Sequence, residues 1–423
     1  MKSPKQAELS DVRHITVAYS KDTYRGHPRH CGMFNFGNGE LAVTYNRAPC
    51  AYQSPRDTRH DFHYMERSEQ VLARSLDNGE TWPESQESIV WKRGGPIDEQ
   101  RALLWPADTT RQELDMSQPG ACFFFGRSWV GKTVNDPNRG GSVPQFVTFS
   151  LRSVDKGRTW DRAPTLIAPP GHAQSLLLNA HPPVRMPDGS FLVVVTAGAG
   201  ADPSSMKEAA LYMSDDNGLS WDYITSIARD PTGVWGYTYN ALVMVSGGRL
   251  QCYSMRQNIN SAGGNWACMS YSDDGGLTWS DMKPIGQLGY SPWVERRRPG
   301  QYGRPGVRKD PAGRPVQTYE PMPNGNQLMR APYPLVLRDG RIVVLYDRRK
   351  PPYGMGGLVS EDLGKTWSRE FVLRDDANCG DLGYPVATEL ADGRIFTAYY
   401  YNLDDGNGFG GTRFIAGSTF AVK

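Results

Sequence analysis

The sequence has few cysteines, no excess of charge and no long hydrophobic run. Its 423 residues include six cysteines and no Cys-x-x-Cys pair, which favours reduced buried thiols over a disulfide framework or a zinc cage. Lysine and arginine (47) almost balance aspartate and glutamate (45), so no broad positive field for nucleic acid is expected. Apolar runs such as residues 191–195 are too short to span a bilayer, so no membrane partner is expected.

The first ten residues are polar and include no hydrophobic stretch. A signal peptide needs such a stretch, so the sequence predicts a cytoplasmic protein. No pattern indicates a cofactor or a catalytic metal. No loop has convincing calcium-ligand spacing, and a structural calcium ion stays an open alternative.

Glycine, proline and aromatic residues are abundant instead. The chain has 46 glycines, 31 prolines, 11 tryptophans, 21 tyrosines and 14 phenylalanines. Glycine and proline punctuate turns, and aromatic side chains are enriched in strands. Because no long stretch has apolar residues at the helical period, the sequence predicts an all-β protein.

An eight-residue pattern, Ser-x-Asp-x-Gly-x-Thr/Ser-Trp, occurs five times. Its aspartate can hydrogen-bond the backbone of its own turn, and its glycine suits a positive φ. The tryptophan supplies a large ring to bury between sheets. We therefore interpret the aspartates as structural and not catalytic. The five copies lie at residues 75–82, 153–160, 214–221, 272–279 and 360–367.

Six hairpins with central Gly turns alternate with these copies, and Asp-Gly between apolar runs is a strong hairpin signal. Repeated four-stranded sheets arranged radially form a β-propeller. We predict one six-bladed domain over residues 1–423, closed by pairing residues 412–420 with 13–19. The stretch 280–329 is a long insertion or, as the alternative, an irregular seventh blade. The hairpins span residues 33–43, 116–125, 184–194, 242–253, 335–344 and 387–399.

The five turns are those of the Asp-box, and with the six hairpins the chain resembles the sialidase (neuraminidase) superfamily. The resemblance implies an active site at the central channel, built from residues that open the inner strand of each blade. It further implies three arginines that clamp a substrate carboxylate, a tyrosine nucleophile with a glutamate partner, and an aspartate acid/base.

Three positions match this pattern by their distance from the hairpin glycines. Tyr384, in Gly383-Tyr384-Pro385, corresponds to the nucleophile. Arg256 and Arg330 correspond to the second and third arginines. Arginine reads a carboxylate through bidentate hydrogen bonds, which lysine cannot imitate.

Other positions depart from the pattern. His30 stands where the first arginine is expected, with Arg29 beside it, and histidine is a natural general acid or base near pH 7. Tyr239 and Asn240 occupy the glutamate position. The candidate catalytic residues are Tyr384, His30, Asp61 and His181, and the candidate substrate-binding residues are Arg29, Arg47, Arg256, Arg330, Tyr239 and Asn240.

Three functions are consistent with these residues. The first is a sialidase-like exo-glycoside hydrolase that cleaves the linkage of an acidic sugar in an oligosaccharide or polysaccharide. The second is a polysaccharide lyase that acts on a uronate of the rhamnosyl-glucuronate or ulvan type by β-elimination, with arginine neutralising the carboxylate. The third is a non-catalytic glycan-binding propeller.

Overall fold

The computed structural model describes residues 6–28, 32–54, 57–58, 67–136, 141–178, 181–198, 207–258, 266–286, 307–309, 315–317 and 329–423. Six antiparallel sheets form a ring, so the protein is a six-bladed β-propeller and not a seven-bladed one. The α-helix at Ile97–Leu104 has eight residues. No helix among those residues has the length and apolarity needed to cross a membrane.

The strands follow the chain blade by blade. β1 (Leu9–Ala18) comes first. Blade 1 contains β2 (Thr23–Gly26), β3 (Met33–Asn35), β4 (Leu41–Pro49), β5 (Glu69–Ser75) and β6 (Ser88–Lys92). Helix α1 (Ile97–Leu104) leads to blade 2, with β7 (Cys122–Asp136), β8 (Gly141–Ser153) and β9 (Thr165–Ile167). Blade 3 contains β10 (Ser175–Leu178), β11 (Val184–Arg185), β12 (Phe191–Gly198), β13 (Lys207–Ser214) and β14 (Asp222–Ala228).

The second half of the ring is more regular. Blade 4 contains β15 (Trp235–Met244), β16 (Leu250–Asn258), β17 (Trp266–Ser272) and β18 (Lys283–Pro284). β19 (Val307–Lys309) and β20 (Pro315–Gln317) pair with each other outside the blades. Blade 5 contains β21 (Met329–Val336), β22 (Ile342–Arg348), β23 (Gly354–Ser360) and β24 (Phe371–Arg374), and blade 6 contains β25 (Gly383–Glu389), β26 (Ile395–Asn402) and β27 (Arg413–Val422).

The ring closes through its first strand. β1 pairs antiparallel with β27, from Leu9 opposite Val422 to Ala18 opposite Ile415. This pairing completes blade 6 with a fourth strand, as the sequence predicts, and leaves neither terminal strand with an unpaired inner edge.

Blade 2 differs from the prediction. Residues 106–121 form no strand, so the first half of the hairpin expected at residues 116–125 is absent and the blade has three strands. Helix α1 packs against β7 instead. Gln100 on this helix accepts a hydrogen bond from Ser128 at 2.6 Å and donates one to the Lys92 carbonyl at 2.9 Å.

The repeated Ser-Asp-Gly-Trp turns have the expected geometry. In the second copy, Ser153 donates to Asp155 at 2.8 Å, and the Asp155 carboxylate accepts from the Thr159 backbone and hydroxyl at 2.9 and 2.6 Å. Gly157 takes a φ of +75° and donates its N–H to Ser153. In the fourth copy, such hydrogen bonds, first from the Thr278 side chain, lower the pKa of Asp274 to about 2. The aspartates are therefore structural.

We expect Asp362→Ala to lower the free energy of unfolding by about 1–3 kcal/mol, because it leaves Ser360, the Thr366 hydroxyl and the Thr366 N–H without their shared acceptor. Urea denaturation measures this loss. A free energy of unfolding equal to that of the parent would contradict the structural role.

Candidate active site

The inner strands of blades 4, 5 and 6 share a backbone irregularity. Tyr239, Ala331 and Tyr384 have φ values of 54°, 48° and 53°, each at the same distance before its hairpin glycine. The strand register shifts at each of these positions. Positive φ is costly for residues other than glycine and tends to concentrate at functional sites, and a bulge re-aims the side chain it carries.

Two of these kinks bring a pair of tyrosines together. The hydroxyls of Tyr239 and Tyr384 lie 2.9 Å apart, and their ring centres are 5.2 Å apart. Because blade 5 separates blades 4 and 6, these side chains meet at the axis of the ring. The Arg330 Nη2 lies 3.4 Å from the Tyr239 hydroxyl. Three of the predicted site residues, Tyr384, Tyr239 and Arg330, therefore converge.

A buried ion pair supports this centre from blade 5. Arg349 pairs with Asp347, and its guanidinium carbon lies 5.2 Å from the Tyr384 ring centre. Burial opposes the charge of Arg349, but Tyr400, Asp347 and Tyr384 outweigh burial and raise its pKa well above the ordinary value. Burial raises the pKa of Asp347 against the opposing effects of Arg349 and Arg330. A Cβ at Gly383 would lie 2.4 Å from the Asp347 Cγ, so only glycine allows this approach.

Asp381 is the second carboxylate near the centre. It accepts hydrogen bonds from Tyr400 at 2.8 Å, Tyr24 at 3.2 Å and Arg413 at 2.9 Å. The Tyr400 ring stacks on Tyr384, with ring centres 5.7 Å apart and planes at 16°. Asp381 thus links blade 1 to blade 6 and fixes the position of the Tyr400 ring that stacks on Tyr384.

Blade 1 contributes His27, whose ring centre lies 5.1 Å from that of Tyr384 in an edge-on arrangement. His27 also has a positive φ of 59°. The predicted residues Arg29, His30 and Asp61 lie outside the described residues.

Arg256 and Arg330 have no carboxylate partner. Neither forms an ion pair with a described carboxylate, and the Nε of each, like those of Arg93 and Arg127, is buried without a hydrogen-bond partner in the described part of the chain. By contrast, Arg152 pairs with Asp161 at 2.8 Å, and Arg413 pairs with Asp381 at 2.9 Å. The Arg256 guanidinium carbon lies over two indole rings, 4.7 Å from the Trp235 centre and 4.4 Å from the Trp266 centre.

Two predicted substrate-binding residues are engaged in the framework. Asn240 is 1% exposed; it donates to Thr196 at 3.0 Å and accepts from Ser254. Arg47 forms ion pairs with Glu69 at 2.8 Å and Glu87 at 2.9 Å. Both side chains already have their partners within the protein, so the structure places them as supports between strands and blades and not as ligand contacts.

His181 also departs from the predicted catalytic role. Its Nε2 lies 3.1 Å from the Pro334 carbonyl of blade 5, and its ring centre lies 4.8 Å from that of Tyr333. Burial lowers the pKa of His181 to about 4. A histidine that is neutral at pH 7 and bonded to the backbone links blade 3 to blade 5 instead of exchanging protons with substrate.

The depressed pKa of His181 makes stability depend on pH. Between about pH 6.5 and 4 the unfolded chain binds a proton that the folded protein does not, so stability is complete above pH 6.5 and falls as the pH drops towards 4. The loss attributable to His181 is at most roughly 3 kcal/mol. Urea denaturation at pH 7 and pH 4.5 measures it, and the same difference in His181→Gln would show that another group is responsible.

Sequence reasoning missed Arg349 and Asp347. They lie at the end of β22 and just beyond it, at positions that the distances from the hairpin glycines did not single out. Their role depends on the contact between blades 5 and 6. Among the described residues, no group of three or more histidine, cysteine, aspartate or glutamate side chains is arranged to hold a metal ion.

Comparison with known proteins identifies the family. The model of the BNR repeat-like domain matches residues 128–397, more than half of the chain. The chain belongs to this family. This match agrees with the repeated turn motifs of the sequence. It matches no curated protein sequence.

Solved structures of BNR-like propellers share the fold. A Dyadobacter fermentans protein of unknown function has a TM-score of 0.66 and 20% identity, with 97% of this chain and 99% of that chain covered. An α-L-arabinofuranosidase from Fusarium graminearum has a TM-score of 0.55 and 12% identity, and the match covers 98% of this chain and 97% of the arabinofuranosidase chain. The Trypanosoma rangeli sialidase in complex with sialic acid has a TM-score of 0.53 and 12% identity. The match covers 98% of this chain and 59% of the sialidase chain. The fold is thus one that glycoside hydrolases use.

Proposed function

We propose that this propeller cleaves the glycosidic linkage of a carboxylated sugar, with Tyr384 as the reacting group. The observation that carries the proposal is the arrangement of Arg330, Tyr239 and Tyr384. An arginine with a buried, unpartnered Nε lies beside two hydroxyls that are hydrogen-bonded to each other across the ring axis.

The charges of the centre suit an anionic substrate. Three guanidiniums, those of Arg330, Arg349 and Arg413, accompany two carboxylates, those of Asp347 and Asp381. Arg349 and Arg413 are held by these carboxylates, which leaves Arg330 to receive the negative charge of a substrate. A substrate carboxylate would supply the ion-pair partner that Arg330 lacks among the described carboxylates.

Tyr384 has the surroundings that a phenol nucleophile requires. An ordinary phenol ionises near pH 10, so attack at neutral pH needs a proton acceptor and nearby positive charge. The Tyr239 hydroxyl is the hydrogen-bond partner and Arg349 supplies the charge over the ring. In hydrolysis, the Tyr384 oxygen would bond to the anomeric carbon as the glycosidic bond breaks, and the Tyr384 proton would pass through the Tyr239 hydroxyl to the leaving oxygen. Water would then attack the anomeric carbon, release the sugar and return a proton to Tyr384.

Elimination is the second candidate, and one observation favours it. The hydroxyl partner of Tyr384 is a phenol, Tyr239, where the sialidase resemblance implies a glutamate. Elimination from a uronate needs no nucleophile: a base removes the C5 proton, the C4–oxygen bond breaks, and the leaving oxygen takes a proton. The tyrosine pair could supply base and acid, while Arg330 neutralises the carboxylate and acidifies C5–H.

One experiment separates these reactions. Purified protein is incubated with sialosides, rhamnosyl-glucuronate oligosaccharides and ulvan-type glycans, and new reducing ends and ultraviolet absorbance are both followed. Hydrolysis produces reducing ends alone, whereas elimination also produces a conjugated unsaturated uronate that absorbs in the ultraviolet. Binding without turnover of any glycan would refute both reactions and leave a non-catalytic glycan-binding propeller.

A further inference from the structure

We infer that Arg256, with Trp235 and Trp266, forms a second anionic-sugar subsite between blades 3 and 4, so that the substrate is an acidic oligosaccharide or polysaccharide with more than one carboxylated residue. This inference rests on the proposed function, because it extends the site at Tyr384. It assigns Arg256 and Arg330 to different sugar residues, whereas the family resemblance places both on one carboxylate.

The position of Arg256 supports a separate subsite. On β16 it lies opposite Tyr237, two residues before Tyr239 on β15. Two residues along a strand span about 7 Å, the scale of one monosaccharide unit. Asn240 faces blade 3 from the same strand pair, where it donates to Thr196 and accepts from Ser254. Because Ser254 and Arg256 share a face of β16, Arg256 faces blade 3 as well.

The two tryptophans orient the guanidinium. Their ring centres lie 5.8 Å apart with planes at 27°, and the Arg256 carbon lies over both rings. A guanidinium donates only in its own plane, so its N–H groups point past the two rings, and the Tyr237 side chain accepts one of them. Cation–π stacking and a phenol stabilise the charge but supply no carboxylate, so Arg256 has no anionic partner among the described residues.

Trp235 stands at the start of β15, where the chain enters blade 4. Asp230 accepts the backbone N–H groups of Val234 and Trp235 at 3.0 and 2.7 Å and so fixes the start of β15. Trp235 and Trp266 are both partly exposed, and an indole surface of this kind packs against the apolar C–H face of a pyranose.

Binding measurements test the subsite independently of turnover. Glucuronate and a rhamnosyl-glucuronate tetrasaccharide are titrated calorimetrically into Tyr384→Phe and into Tyr384→Phe carrying a second change. We expect Arg256→Ala to weaken tetrasaccharide binding at least tenfold and glucuronate binding less than twofold. Arg330→Ala should weaken both. Trp266→Ala should reproduce much of the Arg256→Ala loss, since it removes half of the stacking surface.

Arg249→Ala is the matched control. Arg249 also stacks on an aromatic ring of blade 4, that of Tyr271 at 4.3 Å, but at the opposite end of the blade and paired with Asp273. The Arg249→Ala change should leave the affinities for glucuronate and for the tetrasaccharide unchanged. Equal affinity of the parent for the two ligands, no binding of either, or tetrasaccharide binding that is insensitive to Arg256→Ala would each overturn the subsite. Arg256-dependent binding without turnover of any glycan would instead retain the subsite and refute the proposed reaction.

Discussion

Tyr384→Phe is expected to reduce turnover of an acidic glycan by at least about 100-fold, the usual range for loss of a catalytic proton-transfer group or nucleophile being roughly 100- to 10,000-fold. The change removes only the hydroxyl that lies 2.9 Å from the Tyr239 hydroxyl. The ring remains, and with it the stacking on Tyr400 and the Arg349 charge over its face. The melting temperature should therefore stay close to that of the parent, so that the loss is chemical and not structural.

Tyr253→Phe is the control for removing a tyrosine hydroxyl. Tyr253 is fully buried in blade 4 and donates to Gln251 at 2.8 Å, away from the channel axis. We expect it to cost about 1 kcal/mol of stability and no activity. If Tyr384→Phe kept activity within a few-fold of the parent, Tyr384 would not be the reacting group in either proposed reaction.

Asp347→Ala is expected to lower the free energy of unfolding by about 3–5 kcal/mol, the usual cost of removing one partner of a buried ion pair. The Asp347 side chain is completely buried, and its loss leaves the buried charge of Arg349 without its carboxylate. Arg330 also loses a neighbouring negative charge. Urea denaturation at pH 7 measures the change.

Asp273→Ala is the matched control for Asp347→Ala. Asp273 pairs with Arg249 at 2.6 Å, but its side chain is 57% exposed. An exposed pair is screened by solvent and contributes about 0–1 kcal/mol. A cost for Asp347→Ala as small as that of Asp273→Ala would mean that the pair beside Tyr384 is not a structural support of the site.

Local patterns in the sequence were sufficient to predict the ring of six blades. The Ser-Asp-Gly-Trp turns and the Asp-Gly hairpins bond within a few residues of themselves, so their geometry follows from the residues that form them. Ring closure by β1 and β27 followed from the need to pair terminal strands. Blade 2 was predicted incorrectly because the first half of the expected hairpin, residues 116–121, forms no strand, and helix α1 packs on β7 instead.

The sequence likewise predicted part of the candidate site correctly and part of it incorrectly. Tyr384, Tyr239 and Arg330 could be located from their distances to hairpin glycines, because blades 4, 5 and 6 repeat the same kink at the same distance before the turn. Asn240, Arg47 and His181 have the right residue types at suggestive positions, yet each is held by partners from another strand or blade. Distance along the chain does not reveal such partners.

The amino-acid sequence by itself determined the repeating unit, the number of blades and the positions where the tyrosine and arginine of the site occur. These features depend on hydrogen bonds and strand lengths within single hairpins. Only the tertiary structure decided which arginines are already paired, and that a phenol from blade 4 reaches Tyr384 in blade 6. It also decided that a buried Asp347–Arg349 pair stands behind them. Those contacts join side chains from different blades, and their energies depend on burial that exists only when the ring is closed.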